Sequence, residues 1–543
     1  MKKIISISLT VLFLTVTAGA QFQNIIGKAD VSESVRSVTQ SADSSYLVAG
    51  SFYPFGATKS QEFITRLRKD GSLEWSRKIT IPGLSNAFWL ISSHAEAVKK
   101  NNGMPDGYIM LINETETVSE DPDCYLVRLN NNGGIVWARH ITYVSGIKVR
   151  PSYNGSGSLS GFIILGYTYA GAVILKTDVT GGQMWQKRIA SNVTNGQYRF
   201  EDIQATADGG CITAGSLLIN FETTKPALFK MDNLGNVTWG RHYVLNIDAE
   251  GQPVIYGVTI TNTGYALTGY DISTSDGSYN MTFATNTTGQ ITWAFKYFNA
   301  AGEHVALPGS SIAADASGNL VIATRHIDNS TEEDAVIFKL NTAGSVLFAK
   351  SFDGSNGFNE IKVTSTNTYC AAGRAQPGPN QNIFVTNISS SGNNKPGCQP
   401  VSLTLTRLSA YTKTTENASY NVVLAASANT AVTATSASLL TNQSLCNSLA
   451  VKQSTNETNT GKLLVANDMT NQQVIIKWQT AKSDNIQYKA VLRNTTGTLI
   501  STVVLSANQP AFMHMQKMQP GIYSITLEQN SKPLAREKVV WVK

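Results

Sequence analysis

The densest acidic stretch of the chain holds Glu114, Glu116, Glu120, Asp121 and Asp123. Carboxylate oxygens at such spacing are the ligands calcium takes, although the same composition also makes an ordinary solvated loop, and a solvated loop is the expectation here. Asp271, Ser273, Ser275 and Asp276 form a weaker copy, with the glycine of a calcium loop one place late at Gly277. The expectation is no metal and no cofactor, calcium being the one ion these residue types admit. Of the six histidines, His140 and His242 each follow an arginine at one repeat position, which points to a structural role. His94, His304 and His326 stand isolated, and His514 lies near the C-terminus. No H-E-x-x-H, G-x-S-x-G or G-x-x-x-x-G-K occurs, so no zinc-protease pair, nucleophile elbow or phosphate loop is encoded locally. The catalytic residues, if there are any, are unknown at this level. Sites can also form from loops far apart in the chain.

Five cysteines, Cys124, Cys211, Cys370, Cys398 and Cys446, include no C-x-x-C pair, which removes support for a zinc or thioredoxin-like site. Cys398 and Cys446 bracket one segment and are expected to pair. Cys211 and Cys370 take strand positions filled elsewhere by Tyr, Phe, Leu or Ala and are expected to be buried thiols.

A disulfide requires an oxidising compartment, and the N-terminus supplies the route. Lys2 and Lys3 precede an apolar stretch from Ile4 to Val16, and Ala18-Gly19-Ala20 offers a small-residue cleavage site. Residues 1–20 therefore read as a secretory signal peptide. No later apolar run is long enough to span a bilayer, so no transmembrane span is expected once the signal is removed. Net charge is +6, yet residues 471–543 carry nine Lys/Arg against three Asp/Glu, and residues 4–470 sum to −2. A basic groove for nucleic acid is excluded from the body of the chain.

The elements that must position any site are repeats. A glycine followed four residues later by an aromatic recurs as Gly71/Trp75, Gly133/Trp137, Gly181/Trp185, Gly235/Trp239, Gly289/Trp293 and Gly344/Phe348. Five of the eight tryptophans sit at this one position, so it is a designed feature of a repeat. Asn130, Asp178, Asp232, Asn286 and Asn341 stand three residues before their glycines. An Asx at the first place of a turn with glycine at the fourth is a hairpin connection carrying a bulge. Basic residues two places after the aromatic, among them Arg77, Arg139 and Arg241, are placed to cover its face. An upstream strand also repeats, ending in glycine at Gly50, Gly166, Gly215, Gly269 and Gly373, with variants at Tyr108–Ile112 and Leu320–Thr324.

Seven such units of short strands predict an all-β chain with a seven-bladed β-propeller over residues 21–395. The seventh unit has Pro396 where its aromatic belongs, and Phe22 to Ile26 resembles the missing strand, so residues 21–27 are expected to complete it. The repeated aromatics are expected to fill the space between units. Residues 396–450 read as a separate β-rich extension, 451–461 as a polar linker, and 462–543 as a small β-sandwich.

The Gly-x-x-x-Trp pattern, an acidic lead such as Asn359-Glu360-Ile361 and the glycine-ended strand resemble the repeats of secreted bacterial β-propellers. Residues 462–543 resemble the type IX secretion C-terminal sorting domain, through Tyr488 to Leu492 leading to Gly497, Pro520-Gly521-Ile522-Tyr523, and the terminal Lys538 to Lys543. The usual Pro-Asn-Pro start is replaced by Val465-Ala466-Asn467-Asp468. The resemblance implies Gly521, Tyr523, Lys538 and Lys543 as sorting residues and the type IX secretion machinery as a partner. It also implies export across the outer membrane to the medium or cell surface. Because no acid–base pair stands out in the sequence, the function expected there is non-enzymatic binding of an extracellular glycan or protein by a propeller face. The alternative is a secreted polysaccharide-acting hydrolase or lyase with carboxylates at the channel mouth.

A chain ending at Thr460 is expected to fold and remain in the periplasm. Cell fractionation measures this, and undiminished appearance of that chain outside the cell would remove the sorting role of residues 462–543.

Overall fold

A computed structural model describes residues 21–444 and 462–541. Not described within them are residues 28–30, 55–59, 82–88, 116–122, 169, 221–222, 247–251, 274–276, 300–310, 328–332, 353–354, 376–381, 396–397, 410–411, 425–428, 433–434, 438–440, 469–472, 480–486, 495–497, 507–508, 515–520 and 530–531. The signal peptide, Glu116, Glu120, Asp121, Ser275, Asp276, His304, Cys446 and Lys543 thus lie outside the described residues. Every described element is a β-strand, and no described helix is long and apolar enough to cross a membrane.

The chain divides into two units, 1–394 with 399–443, and 395–398 with 444–543. The first contains seven antiparallel sheets of five strands each. Sheets I to VI take four consecutive strands from residues 31–80, 89–141, 145–191, 196–246, 252–299 and 311–352. Sheet VII takes three from residues 355–388, and its fourth is Phe22–Gly27, paired antiparallel to Ile383–Ile388 from Phe22↔Asn387 to Ile26↔Ile383.

Two recurring glycines, the second absent from sheets II and VI, explain the local geometry. The first closes the hairpin between third and fourth strands. Gly133, Gly181, Gly235, Gly289 and Gly344 have φ between 75° and 80°, and the Asx oxygen three residues earlier accepts two backbone N–H groups, as Asn130 does from Asn132 and Gly134 at 2.9 Å. The second lies opposite a bulge in the first strand, paired with Val35 (Gly50), Gly146 (Gly166), Phe200 (Gly215), Ile255 (Gly269) and Phe358 (Gly373). A Cβ at Gly50 would fall 2.2 Å from the Ser34 carbonyl oxygen, and one at Gly215 would fall 2.0 Å from that of Arg199. Backbone approaches this close leave room for glycine alone.

The repeated aromatics join sheet to sheet. Each is half-buried and packs on the hairpin glycine of the next sheet: Trp75 on Gly133, Trp137 on Gly181, Trp185 on Gly235, Trp239 on Gly289, Trp293 on Gly344 and Phe348 on Gly392. Phe22 of sheet VII packs on Gly71 of sheet I, supplying the aromatic that Pro396 denies the seventh repeat. Arg77, Arg139 and Arg241 lie over Trp75, Trp137 and Trp239 with guanidinium carbons 5.4–5.8 Å from the ring centroids.

The extension read as a separate piece has no sheet of its own. Its seven strands each pair with the outer strand of a different sheet, in descending order: Val401–Ser402 on VI, Leu405–Ser409 on V, Thr412–Asn417 on IV, Tyr420–Leu424 on III, Asn429–Val432 on II, Thr435–Ala437 on I and Thr441–Ser444 on VII. Sequence periodicity shows strands there but not their partners, which lie up to several hundred residues away. Cys398, just before this belt, is disulfide-bonded, whereas Cys124, Cys211 and Cys370 are free and fully buried.

The second unit holds a three-stranded and a four-stranded antiparallel sheet over residues 462–541. Val474, Ile476 and Trp478 of one sheet share a core with Tyr488, Leu492, Ile525 and Leu527 of the other. Gly521 and Lys538 lie on paired strands of the larger sheet, and Tyr523 is buried in that core.

Unpaired outer edges invite association with other chains. A chain ending at residue 399, which lacks the belt, is expected to form soluble oligomers or aggregates, whereas one ending at Thr460 stays monomeric. Light scattering after size exclusion measures this. A monomeric short chain melting within about 2 °C of the longer one would show the belt to be dispensable.

Candidate functional site

The first strands of the seven sheets pack on one another in order: I on II, and so on to VI on VII, and VII on I. Their bulges decide what lies between them. A bulge breaks ladder pairing, so a backbone N–H must find another acceptor. The residue just after the bulge supplies one to the following sheet. Ser37 Oγ accepts from the Ala95 N–H at 2.9 Å, His94 Nδ1 from Val149 at 3.4 Å, Asp202 Oδ2 from Val258 at 3.0 Å and Glu360 Oε2 from Val38 at 3.1 Å. Ser311 Oγ does the same for Ile361 at 3.3 Å. The series is interrupted at Gly257, which has no side chain, and where Lys148 stands, because an ammonium cannot accept. There the Ile203 N–H is taken by Asp202 of its own strand at 2.8 Å.

This arrangement brings isolated residues together. His94 is fully buried, with Nε2 3.1 Å from Glu360 and 3.7 Å from Glu96. Because Nδ1 accepts a backbone N–H, Nε2 carries the proton and points at Glu360. Arg150 bridges Glu96 and Asp202, the latter at 3.0 Å, and Lys362 bridges Glu96 at 2.5 Å and Glu360 at 3.1 Å. Lys148 lies 3.8 Å from Glu360, and Thr39 donates to Glu96 at 2.9 Å. Three carboxylates thus face three cations around a neutral imidazole.

The electrostatics follow from burial and pairing. Burial holds His94 well below its ordinary pKa, Lys148 and Arg150 add to that, and Glu360 opposes it. Burial works to raise Glu360, but Lys148, Lys362 and the His94 hydrogen bond hold it well below the usual carboxylate range. Lys362 is lowered to about 8, by burial first and by Arg150 next. His94, Glu96 and Glu360 have the donor types and proximity of a metal site, their ligand atoms lying within 4.8 Å of one another. Three cations already occupy that charge, so the cluster does not suit a metal ion.

One side of the network opens into a cavity of about 420 Å³ at the C-terminal ends of these strands. Glu96, Arg150 and Lys362 line its inner part, and Gln40, Lys99, Tyr153, Gln204 and Ser365 lie further out. The Lys99 ammonium stands 5.3 Å over the Tyr153 ring, whose hydroxyl accepts the Lys99 N–H at 3.0 Å. Glu201, at the bulge of sheet IV, is raised above the ordinary carboxylate range by burial against the opposing pull of Arg199, which pairs with it at 2.7 Å. Tyr256 and Tyr270 stack 5.6 Å apart on the neighbouring sheet V.

The residues singled out for calcium fall elsewhere. Glu114 and Asp123 meet His140, with its Nε2 2.7 Å from Asp123, while the Tyr125 hydroxyl donates to Glu114 at 2.7 Å and the Tyr125 ring stacks on His140. Asp271 is fully buried with Lys296 3.6 Å away, an ion-pair setting and not an open loop. His242, at the repeat position of His140, lies 2.8 Å from the Tyr198 hydroxyl in sheet IV. The sequence signal for the central cluster was the strand-ending glycine, since its partner strand carries the bulge and therefore the inward-pointing residues. Neither the known protein-family models nor the curated proteins match this chain.

His242 generates a pH test. Burial first, then Lys225, depresses it from 6.5 to about 4, with Glu416 opposing. A folded-state pKa below the unfolded one means stability is complete above pH 6.5 and lost as pH falls towards 4. The loss is at most about 3 kcal/mol. Urea midpoints for His242→Gln should fall less steeply than wild type across that interval. Parallel curves would show that His242 titrates alike in both states.

Proposed function

We propose that the chain is an exported, non-enzymatic binding protein whose seven sheets are the blades of a closed seven-bladed β-propeller, with the cavity at one channel mouth receiving a hydroxyl-rich glycan. Closure is supported by the first-strand packing that returns from sheet VII to sheet I and by the Phe22 contact with Gly71. The two-sheet second unit is read as a sandwich serving type IX export to the surface or medium, with Gly521, Tyr523, Lys538 and Lys543 as sorting residues. That reading rests on the sequence resemblance.

The observation that carries the binding reading is the saturation of the central carboxylates. Glu96 is held by Thr39, Arg150 and Lys362, Glu360 by His94, Lys362 and the Val38 N–H, and Asp202 by Arg150 and two backbone N–H groups. A general acid needs a carboxyl whose pKa is raised towards the working pH. Glu360 lacks that property, being held well below the usual carboxylate range, although its ligand oxygen lies within 4.8 Å of that of Glu96, close to the ~5–5.5 Å carboxyl spacing of a retaining glycosidase. Around the mouth, Gln40, Gln204 and Ser365 offer neutral donors and acceptors, and Tyr153 an aromatic edge, which suits sugar hydroxyls.

Glu201 is the specific observation behind the alternative, a polysaccharide hydrolase or lyase, because burial raises its carboxyl beside Arg199 and near the Tyr256–Tyr270 pair. One panel separates the two readings. The full mature chain is mixed with insoluble xylan, cellulose, pectin and chitin, and both retained protein and released reducing ends are measured. Binding predicts retention by at least one polymer, weakened about fivefold, ~1 kcal/mol, by Tyr153→Ala, without release. Retention by none, or no effect of Tyr153→Ala, overturns it. Product release abolished by Glu201→Gln replaces it with the enzyme.

A further inference from the structure

The cavity carries a charge pattern that narrows its ligand, an inference that rests on the binding reading above. Its wall presents Lys99, Arg150 and Lys362 against the single carboxylate of Glu96. The other two carboxylates of the network, Asp202 and Glu360, are buried beneath and do not line the cavity. The network is therefore balanced as a whole but uneven at the opening: two of its three bases, Arg150 and Lys362, line the cavity with one of its three acids, Glu96, while Lys148 stays beside buried Glu360. Glu96 cannot neutralise the wall by itself. It already accepts from Thr39, Arg150 and Lys362.

The three cations differ in what they can still do. Arg150 spends its guanidinium on Glu96, Asp202 and the Ile203 carbonyl, accepting geometry that fixes it as framework. The Lys362 side chain keeps about a fifth of its surface exposed, at the inner end of the cavity. Lys99 is exposed at the outer end, its ammonium 5.3 Å from the centroid of the Tyr153 ring. Gln40 and Gln204 already use one amide atom each, on the Ser365 N–H and the Val258 carbonyl, so the polar groups between the two lysines are held in place.

We propose that the cavity binds the carboxylate of an acidic sugar residue, a uronate within a polysaccharide, between Lys362 and Lys99, with the sugar hydroxyls on the glutamine side chains and Tyr153. An anion there supplies the counter-charge that the wall lacks: Lys99 has no carboxylate partner among the described residues of the wall, and Lys362, already held by Glu96 and Glu360, adds its positive field from the inner end. A neutral sugar makes the hydroxyl contacts alone.

The test is titration calorimetry of the full mature chain with trigalacturonate and with its neutral counterpart galactotriose, at 20 mM and 300 mM salt. The expected result is at least tenfold tighter binding of trigalacturonate at low salt, with the difference shrinking at high salt. Lys99→Gln, an exposed substitution that leaves the buried network intact, should remove about fivefold of that affinity and nothing from galactotriose. Lys362→Met should remove more, and its melting temperature reports whether it folds. Equal binding of the two sugars, or identical trigalacturonate affinity in Lys99→Gln, overturns the anion site and leaves glycan binding standing. Binding of neither sugar overturns this inference, while retention in the polymer panel would keep the broader reading.

Discussion

The structure of the first unit depends on a backbone N–H group that the first strand of each sheet cannot pair within its own ladder. A buried N–H without an acceptor costs about 1–3 kcal/mol, and the cost recurs in every sheet that has a bulge. The residue after the bulge answers it for the next sheet at Ser37, His94, Asp202 and Glu360, and Ser311, at the start of its strand, performs the same task for Ile361. What they share is an acceptor atom that reaches across to the neighbouring strand. The burial of His94 and Glu360, and the directions in which their pKa values move, follow from that task.

The outer edges pose the opposite problem. Inside, one N–H per bulge needs an acceptor, whereas outside a whole strand of donors and acceptors faces away from the sheet. The belt of residues 401–444 meets this by pairing in turn with all seven outer strands. Each of its strands belongs to a different sheet, so one short segment of chain pairs with strands distant from it in sequence. The aromatic-on-glycine contacts lie between these two layers of hydrogen bonding. Each requires the φ near 80° that only glycine adopts easily at the hairpin and a ring large enough to reach it from the adjacent sheet.

Much of this was legible in the residues. The hairpin Asx and glycine encode their own turn, and the count of strand-ending glycines matched the number of sheets once Tyr108–Ile112 and Leu320–Thr324 were included. The need for Phe22 followed from Pro396. The belt's partners were not legible, because a short alternating run such as Tyr420–Leu424 carries a strand signal but no address. The central cluster was missed for a related reason. His94, Arg150, Asp202 and Glu360 have no common sequence spacing. They become neighbours only when the first strands of different sheets are placed side by side. Reading the glycine as the partner of a bulge, and the bulge as the device that turns the following residue inward, would have picked out Ser37, Asp202 and Glu360 from the sequence alone.

That device also separates framework from recognition along each first strand. In sheets I, II, IV and VII the residue immediately after the bulge accepts from the backbone of the next sheet. Two places further on, at Thr39, Glu96, Arg150, Gln204 and Lys362, charge and size vary, and Thr39, Arg150 and Gln204 still bond that backbone. The exceptions show the coupling. Lys148 occupies an acceptor position and cannot fill it, so Asp202 caps its own strand with one oxygen while serving sheet V with the other. Arg150 then has a carboxylate within reach on that side and Glu96 on the other, so Asp202 stays beneath the cavity while Glu96, Lys362 and Lys99 line it. A single basic residue in the framework layer thus decides how charge is distributed in the layer above it.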